Sequence, residues 1–114
     1  MPTTVGHLET VSVRLVERAP LEAVLGAWRT WHPLVDAQLP SAPLAPVVVR
    51  DEPDRPQPRL DRDVLNGMAS VVGRVRPCPV QDYRFVVLGN NLVRGAAGGV
   101  VLIAELLRRQ GWLD

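Results

Sequence analysis

Two histidines, one cysteine and a pair of adjacent asparagines are the side chains in this sequence best suited to chemistry. His7 follows a glycine just before a predicted strand, where an imidazole can accept and release protons near neutral pH. A histidine in that position can equally be a surface or hydrogen-bonded structural residue. His32 follows a predicted helix end, where an imidazolium complements the helix dipole, so we assign it a structural role. Because the sequence has only two histidines and one cysteine, few side chains are available as metal ligands, and we expect no metal site.

Cys78 is the single cysteine and lies between Pro77 and Pro79. Prolines carry no N–H donor, and no helix N-terminus or group of cations adjoins this position in the sequence. We therefore expect no lowering of the pKa of this thiol. A free structural cysteine is favoured over a nucleophile that uses His7 as its base.

The pair Asn90-Asn91 stands at a predicted strand-to-helix junction. Such amides commonly cap a helix N-terminus. At the end of a sheet they can also reach into a cleft and hydrogen-bond the carboxamide of a cofactor. The string GAAGG at 95–99 lacks the glycine spacing of a dinucleotide-binding fingerprint, so close helix packing is its expected role.

Four strands and two helices are predicted to position these residues. The expected strands cover residues 8–16, 47–49, 69–76 and 83–88, and the expected helices cover 20–31 and 92–110. Val11, Val13 and Leu15 form the apolar face of the first strand, and the strand at 47–49 is expected to be buried. Pro20 is placed as the first helical residue, and Gly111 as the left-handed residue that closes the last helix.

Two segments are longer or more apolar than the core of a small domain requires. Closely spaced prolines predict an extended loop at 50–63, and loops this long are more often functional than linkers. The helix at 92–110 is apolar around most of its circumference, so we expect it to pack on another domain or on a second copy. It should then expose an apolar strip, whose expected members are Val93, Ala97, Val100, Val101 and Ala104. An ordinary core helix is the alternative.

Length and charge exclude several classes of protein. The 114 residues, 46% of them apolar, suit one domain with its own core. Thirteen basic residues, all arginine, nearly balance 12 acidic ones, which argues against nucleic acid or anionic lipid as the main partner. The longest uncharged apolar run, 95–104, is too short to span a membrane. With no signal peptide at the start and one cysteine, the sequence predicts a cytoplasmic protein.

Three motifs resemble one enzyme family in the same order along the chain. They are GHLE at 6–9, RPQPRLDRD at 55–63, and GRVRPCPVQDYRFVVLGNNLVRGAAGG at 73–99, which is followed by AELL. Together they resemble the C-terminal end of aspartate-semialdehyde dehydrogenases of the archaeal and fungal type, across essentially all 114 residues. The most specific element is N-x-x-R-G-A-A at 91–97.

The resemblance implies an α+β fold, with a mixed, largely antiparallel sheet and helices on one face, as in the C-terminal domain of glyceraldehyde-3-phosphate dehydrogenase. In the family this domain supplies part of the active site and the subunit interface. The enzymes use NADPH to reduce β-aspartyl phosphate to the semialdehyde, on the route to lysine, threonine and methionine. A cysteine of a preceding segment attacks the acyl phosphate, and hydride reduces the thioester.

Two site residues follow from the same resemblance. His7 matches the family's acid/base for the nucleophile and the hemithioacetal oxygen, and Asn91 matches a contact to the nicotinamide end of NADP. Arg94 also matches the motif, and we assign it to structure at the helix start. Cys78 lies far downstream of His7, so it does not correspond to the family nucleophile.

The resemblance further implies that residues 1–114 form a truncated catalytic and dimerisation domain without the family's N-terminal Rossmann domain. The family's substrate-carboxylate arginine, in an R-V-P-V string, would fall one position before Met1, as expected of a reading frame that starts inside a longer gene. We expect a fragment that is inactive alone, with a small-molecule substrate and with a second copy or the missing N-terminal domain as partner. The alternatives are a non-catalytic module that pairs with a full-length subunit, and part of a related acyl reductase such as malonyl-CoA reductase or N-acetyl-glutamyl-phosphate reductase.

Overall fold

One four-stranded sheet organises the chain in the computed structural model, which describes residues 3–34 and 38–114. The strands are β1 (His7–Val13), β2 (Val47–Arg50), β3 (Ser70–Pro77) and β4 (Tyr83–Gly89). They lie in the order β1-β4-β3-β2; β4 is antiparallel to both neighbours and β2 is parallel to β3. The predicted mixed, largely antiparallel sheet of an α+β fold is confirmed. Met1 and Pro2, on which the expectation about the R-V-P-V string depends, lie outside the described residues.

Within the described residues, three α-helices and one π-helical turn accompany the sheet. The helices are α1 (Leu21–Thr30), α2 (Pro58–Asp61) and α3 (Gly98–Arg109), and the π-helical turn, Val93–Ala97, leads directly into α3. Within the described ranges, no helix is long and apolar enough to cross a membrane.

Helix α1 packs on one face of the sheet through aromatic side chains. The rings of Trp28 and Phe85 meet edge to face, with centroids 5.0 Å apart. The hydroxyl of Tyr83, on the same face as Phe85, donates a 2.7 Å hydrogen bond to the Ala19 carbonyl just before α1. Helix α1 therefore covers the end of this face where β4 begins.

The opposite face of the sheet is buried under the segment that contains α2. Val71, Val86 and Leu88 point to that side and are at most 6% exposed. Burying side chains of this size stabilises a fold by about 1.5–3 kcal/mol each. Gly73 permits the close approach, because a Cβ at that position would collide with the Arg55 carbonyl oxygen.

Several predicted boundaries are wrong for identifiable reasons. Strand β1 ends at Val13, not at residue 16, because the Leu15 N–H donates to the Asp82 carboxylate at 2.7 Å instead of to a neighbouring strand. Pro20 precedes α1 in an extended conformation (ψ 153°) and is not the first helical residue. Strand β2 is half-buried, not buried, because it lies at the sheet edge. The expected loop at 50–63 contains α2, with Pro58 in its first turn.

The predicted continuous helix at 92–110 is also wrong. It is interrupted at Ala96, whose backbone (φ −138°, ψ −114°) is not helical. The glycines allow the chain to fold closely there, since a Cβ on Gly98 would lie 2.6 Å from the Met68 sulfur. The helix stop is confirmed: Gly111 has φ +77° and its N–H donates to the Arg108 carbonyl at 3.0 Å.

Helix α3 is anchored by one buried residue and is otherwise largely exposed. Leu102 packs with Leu39 and Met68 in a small cluster. Four members of the predicted strip are exposed, Ala97, Val100, Val101 and Ala104, with Val100 66% exposed. The fifth prediction, Val93, is wrong, because that side chain packs half-buried against the Leu102 cluster.

Candidate functional site

His7 and Gly89 face each other where β1 begins and β4 ends. The chain leaves β4 through Asn90 and Asn91, so the histidine and both asparagines lie at the same end of the sheet. Alternation along the two strands places His7 on the same face as Val87. The His7 side chain is exposed, so an outside group can reach its ring.

Gly6 connects His7 to Asn91. Its backbone N–H donates a 2.7 Å hydrogen bond to the Asn91 Oδ1. Gly6 has φ +102°, and a Cβ there would approach the Leu88 Cδ1 to 3.2 Å, so a side chain at this position would be strained. Because a backbone N–H requires an acceptor, the Oδ1 of Asn91 must face Gly6, and its Nδ2 is left to donate elsewhere.

Asn90 is the capping residue of the asparagine pair. It is 4% exposed, and its Oδ1 accepts the N–H groups of Leu92 and Val93, both at 3.0 Å. Its Nδ2 donates to the Arg62 carbonyl at 3.2 Å. The two asparagines, both predicted as possible caps, therefore have different roles. Asn90 caps the π-helical turn, whereas Asn91 contacts Gly6.

These residues line one open cleft, which we call the His7 cleft. Its lining consists of His7, Glu9, Val87, Gly89, Asn90, Asn91, Arg94 and Gly95. A Cβ on Gly89 would meet no atom within 4 Å, so the absence of a side chain there leaves open space beside the histidine. The cleft combines a proton-exchanging imidazole, an amide donor and a guanidinium. Sequence reasoning did not predict that Arg94 would lie beside the other two.

A buried carboxylate supports the segment on which Asn90 rests. Asp61 is 1% exposed and accepts hydrogen bonds from the Arg55 guanidinium, the Gln57 N–H at 2.7 Å and the Arg50 Nε at 3.0 Å. Burial alone would raise the pKa of Asp61, but the bonds from Arg55, Gln57 and Arg50 together hold it below its usual value. These residues explain the RPQPRLDRD motif as a structural cluster.

The Asp61 cluster is coupled to the cleft through Arg62. Arg62 follows Asp61 in the chain, and its carbonyl oxygen accepts the Asn90 Nδ2. Asn90 in turn caps the turn that carries Arg94. Sequence reasoning missed this support, because nothing local in the RPQPRLDRD string indicates a contact with residue 90.

Cys78 and His32 lie away from the His7 cleft. Cys78 adjoins the hairpin between β3 and β4, at the opposite end of the sheet, since the Asp82 N–H there bonds to the Val13 carbonyl. At roughly 3.4 Å per residue, the strands separate it from His7 by about 20 Å. A cysteine–histidine pair between them is excluded. His32 is exposed, two residues past the end of α1.

Cys78 is a free cysteine, as expected, but the expectation that the pKa of its thiol is not lowered is wrong. The nearby N–H groups of Gln81 and Val80, together with the Ser12 hydroxyl and the positive charge of Arg84, lower the pKa of this thiol despite some burial. The donors come from the turn beyond Pro79, because the chain folds back there and the Cys78 N–H bonds to the Asp82 carbonyl at 3.1 Å.

Comparison with known families identifies one matching domain. The family model for the semialdehyde dehydrogenase dimerisation domain matches residues 1–94. The chain is 44% identical to an aspartate-semialdehyde dehydrogenase of Archaeoglobus fulgidus over 110 residues, which are 96% of this chain and 31% of the relative. It is 40% identical to a malonyl-CoA reductase (NADP) of Metallosphaera sedula over 112 residues, 96% of this chain and 31% of that protein.

A solved structure has the same fold. The crystal structure of aspartate semialdehyde dehydrogenase with NADP from Candida albicans aligns with a TM-score of 0.84 and 41% identity. The alignment covers 95% of this chain and 31% of the Candida albicans chain. The chain thus spans about a third of the length of the relatives that it matches.

Proposed function

Because this chain belongs to the semialdehyde dehydrogenase dimerisation-domain family, we propose that it supplies the acid/base and cofactor-contacting side of an aspartate-semialdehyde dehydrogenase active site. The observation that carries this proposal is the His7 cleft, in which His7 and Asn91, 84 positions apart in the sequence, are joined through the Gly6 N–H. The complete reaction is the NADPH-dependent reduction of β-aspartyl phosphate to aspartate semialdehyde.

His7 acts in this proposal as the proton carrier. Its exposed ring is accessible from the cleft, where it accepts the proton of the attacking thiol and later donates a proton to the hemithioacetal oxygen that forms when the thioester is reduced. Positioned general acids and bases of this kind contribute about 10²–10⁴-fold to rate. The thiol belongs to the rest of the active site and is not Cys78, which lies at the opposite end of the sheet.

Asn91 is the proposed contact to the cofactor. Its Oδ1 is engaged by Gly6, so its Nδ2 has N–H groups to offer a carboxamide oxygen. The bare backbone of Gly89 beside it leaves room for a flat ring. These residues fit the nicotinamide end of NADP, which supplies the hydride when bound. The task of Asn91 is to orient the carboxamide.

Aspartyl phosphate is the proposed acyl donor, and the thioester malonyl-CoA is the second candidate. Aspartate-semialdehyde dehydrogenases of Archaeoglobus fulgidus and Methanothermobacter thermautotrophicus match at 44% identity, and the malonyl-CoA reductase matches at 40% over a similar length. His7 and Asn91 suit either reaction, since both acyl groups are reduced to an aldehyde. The RPQPRLD and NLVRGAAG strings favour the first donor and are compatible with the second.

Reciprocal chimeras test the proposal. One replaces the matching region of the Archaeoglobus fulgidus enzyme with this chain and is assayed for NADP reduction with aspartate semialdehyde and phosphate. The other replaces the matching region of the Metallosphaera sedula reductase and is assayed with malonyl-CoA and NADPH. We expect activity in the first and a large loss in the second. Activity restricted to the second chimera would assign the malonyl-CoA reaction instead.

We also propose that the chain self-associates and works in the cytoplasm. Self-association is supported by the description of the matching family as a dimerisation domain. The location is supported by the single free cysteine, which suits a reducing compartment. Sedimentation velocity across a range of concentrations tests the first point: a dimer is expected, and a monomer at all concentrations would contradict it.

A further inference from the structure

Arg94 is a half-buried arginine that lines the His7 cleft together with His7 and Asn91. It lies in the π-helical turn that Asn90 caps, so its backbone is held by the same hydrogen bonds that position the asparagine pair. This turn therefore places a guanidinium in the same cleft as the His7 imidazole.

The other half-buried arginines all have a carboxylate partner. Arg50 and Arg55 bind Asp61, and the Nε of Arg62 lies 3.3 Å from the Asp63 Oδ2. Arg94 differs from them: across residues 3–34 and 38–114, no carboxylate lies within 4.0 Å of its guanidinium and no hydrogen-bond acceptor contacts it. Glu9 lines the same cleft, but beyond ion-pair distance.

The Arg94 guanidinium is available to an outside anion, because no carboxylate and no hydrogen-bond acceptor of the described residues engages it. A structural role at the start of α3 would require contacts with the chain, and Arg94 makes no polar side-chain contact with the described residues. Its planar fork of N–H groups matches two oxygens of one carboxylate or phosphate. Arg94 lines two further hollows, whose other described lining is apolar except for His32, whereas the His7 cleft also presents His7 and the two asparagines, so we assign the partner to this cleft.

We propose that Arg94 binds an oxyanion, a carboxylate or phosphate group, of the ligand that occupies the His7 cleft. The inference rests on the proposed function for the identity of that ligand, in which both the acyl substrate and the cofactor carry such groups. Anion binding itself requires no turnover and can be measured separately. Arg94 would then be a substrate- or cofactor-binding residue, with His7 beside it as the proton carrier.

NMR titration of the ¹⁵N-labelled 114-residue chain tests this. Inorganic phosphate is added in one arm and succinate in the other, with ionic strength held constant by sodium chloride because exposed charge interactions are screened by salt. We expect saturable shifts of the Asn91 side-chain amide and the Gly95 amide. Arg94→Gln should raise the dissociation constant of the anion at least tenfold. Arg94→Lys should raise it by less, because an ammonium keeps the positive charge but lacks the planar fork of N–H groups of a guanidinium.

Arg109→Gln is the matched control, since Arg109 is an exposed arginine at the end of α3, and it should leave the binding unchanged. If phosphate saturates the site and succinate does not, the group that Arg94 binds is a phosphoryl group. If succinate saturates it and phosphate does not, the group is a carboxylate. Arg94 also lines two further hollows, one with Trp31 and one with Ile103, so shifts confined to the Trp31 indole N–H and the Ile103 amide would overturn the assignment to the His7 cleft. No saturation by either anion, or equal saturation in Arg94→Gln, would overturn the proposal.

The backbone amide spectrum of each variant shows whether the variant is folded. If Arg94→Gln is not folded, the comparison is made with Arg94→Lys instead. If anion binding fails while the chimera remains active, only the role of Arg94 is lost. If the chimera is inactive while the anion binds, the proposed reaction fails and the anion site stands.

Discussion

The side-chain Oδ1 of Asn91 accepts the backbone N–H of Gly6 at 2.7 Å, and this bond ties the start of β1 to the turn after β4. It fixes the residue directly before His7 and directs the Nδ2 of Asn91 away from the backbone. One amide thus serves both the position of the histidine and the proposed contact with the cofactor.

Two substitutions separate these roles of Asn91. Asn91→Asp keeps an acceptor for Gly6 but removes the donor, whereas Asn91→Ala removes both. We expect Asn91→Ala to lower the free energy of unfolding of the chain by about 1–3 kcal/mol, because a buried N–H is left unpaired, and Asn91→Asp to lower it by less. Urea denaturation measures the difference. In the Archaeoglobus fulgidus chimera both variants should raise the KM for NADP; equal KM values in Asn91→Asp and the unsubstituted chimera would refute the cofactor contact.

The buried carboxylate of Asp61 should contribute stability that depends on pH. Asp61→Asn leaves the Arg50 and Arg55 guanidinium groups without their negative partner and should cost about 3–5 kcal/mol. The pKa of Asp61 is lower in the folded chain than in the unfolded chain, where it is about 4. The ionised carboxylate therefore contributes its full stabilisation above about pH 4, and this stabilisation is lost as the pH falls through the folded pKa. Denaturation from pH 7 to pH 2.5 should show the difference between wild type and Asp61→Asn shrinking below about pH 4. A constant difference over that range would contradict the ion-pair account.

Arg55 and Arg94 form a matched pair for stability. Arg55→Gln breaks a buried ion pair with Asp61 and should lower the free energy of unfolding by about 3 kcal/mol. Arg94→Gln should change it by less than about 0.5 kcal/mol, because no ion pair within the described chain is lost. Parallel urea titrations make the comparison, and a large loss of stability in Arg94→Gln would show that the arginine has a partner within the chain.

The thiol of Cys78 should react at lower pH than an ordinary cysteine. The Gln81 and Val80 N–H groups stabilise the thiolate, so the rate of alkylation by iodoacetamide should rise to half its maximum below the midpoint of a cysteine peptide. Ser12→Ala removes one of the donors and should shift the midpoint upward, towards that of the peptide. A midpoint at or above the peptide's would mean that the turn does not stabilise the thiolate.

Local patterns along the chain predicted most of the fold but few of the contacts at the site. Alternation and β-branched runs located the four strands, and Gly111 marked the helix end, because these signals depend on neighbouring residues. The interruption at Ala96 has no local signal in the sequence, and the packing beside it brings Gly98 against Met68, which lies 30 positions away. His7 and Asn91 were singled out by family motifs, but their link through Gly6 and the proximity of Arg94 depend on the pairing of β1 with β4.

The role of His7 as the proton carrier is tested by the kcat of the Archaeoglobus fulgidus chimera that carries His7→Asn. His32→Gln is the control, because that histidine is exposed and lies outside the His7 cleft. We predict that His7→Asn lowers kcat at least about 100-fold, with the KM for NADP and the circular dichroism spectrum unchanged, and that His32→Gln has no effect. A folded His7→Asn chimera whose kcat stays within about threefold of the unsubstituted chimera would contradict the account.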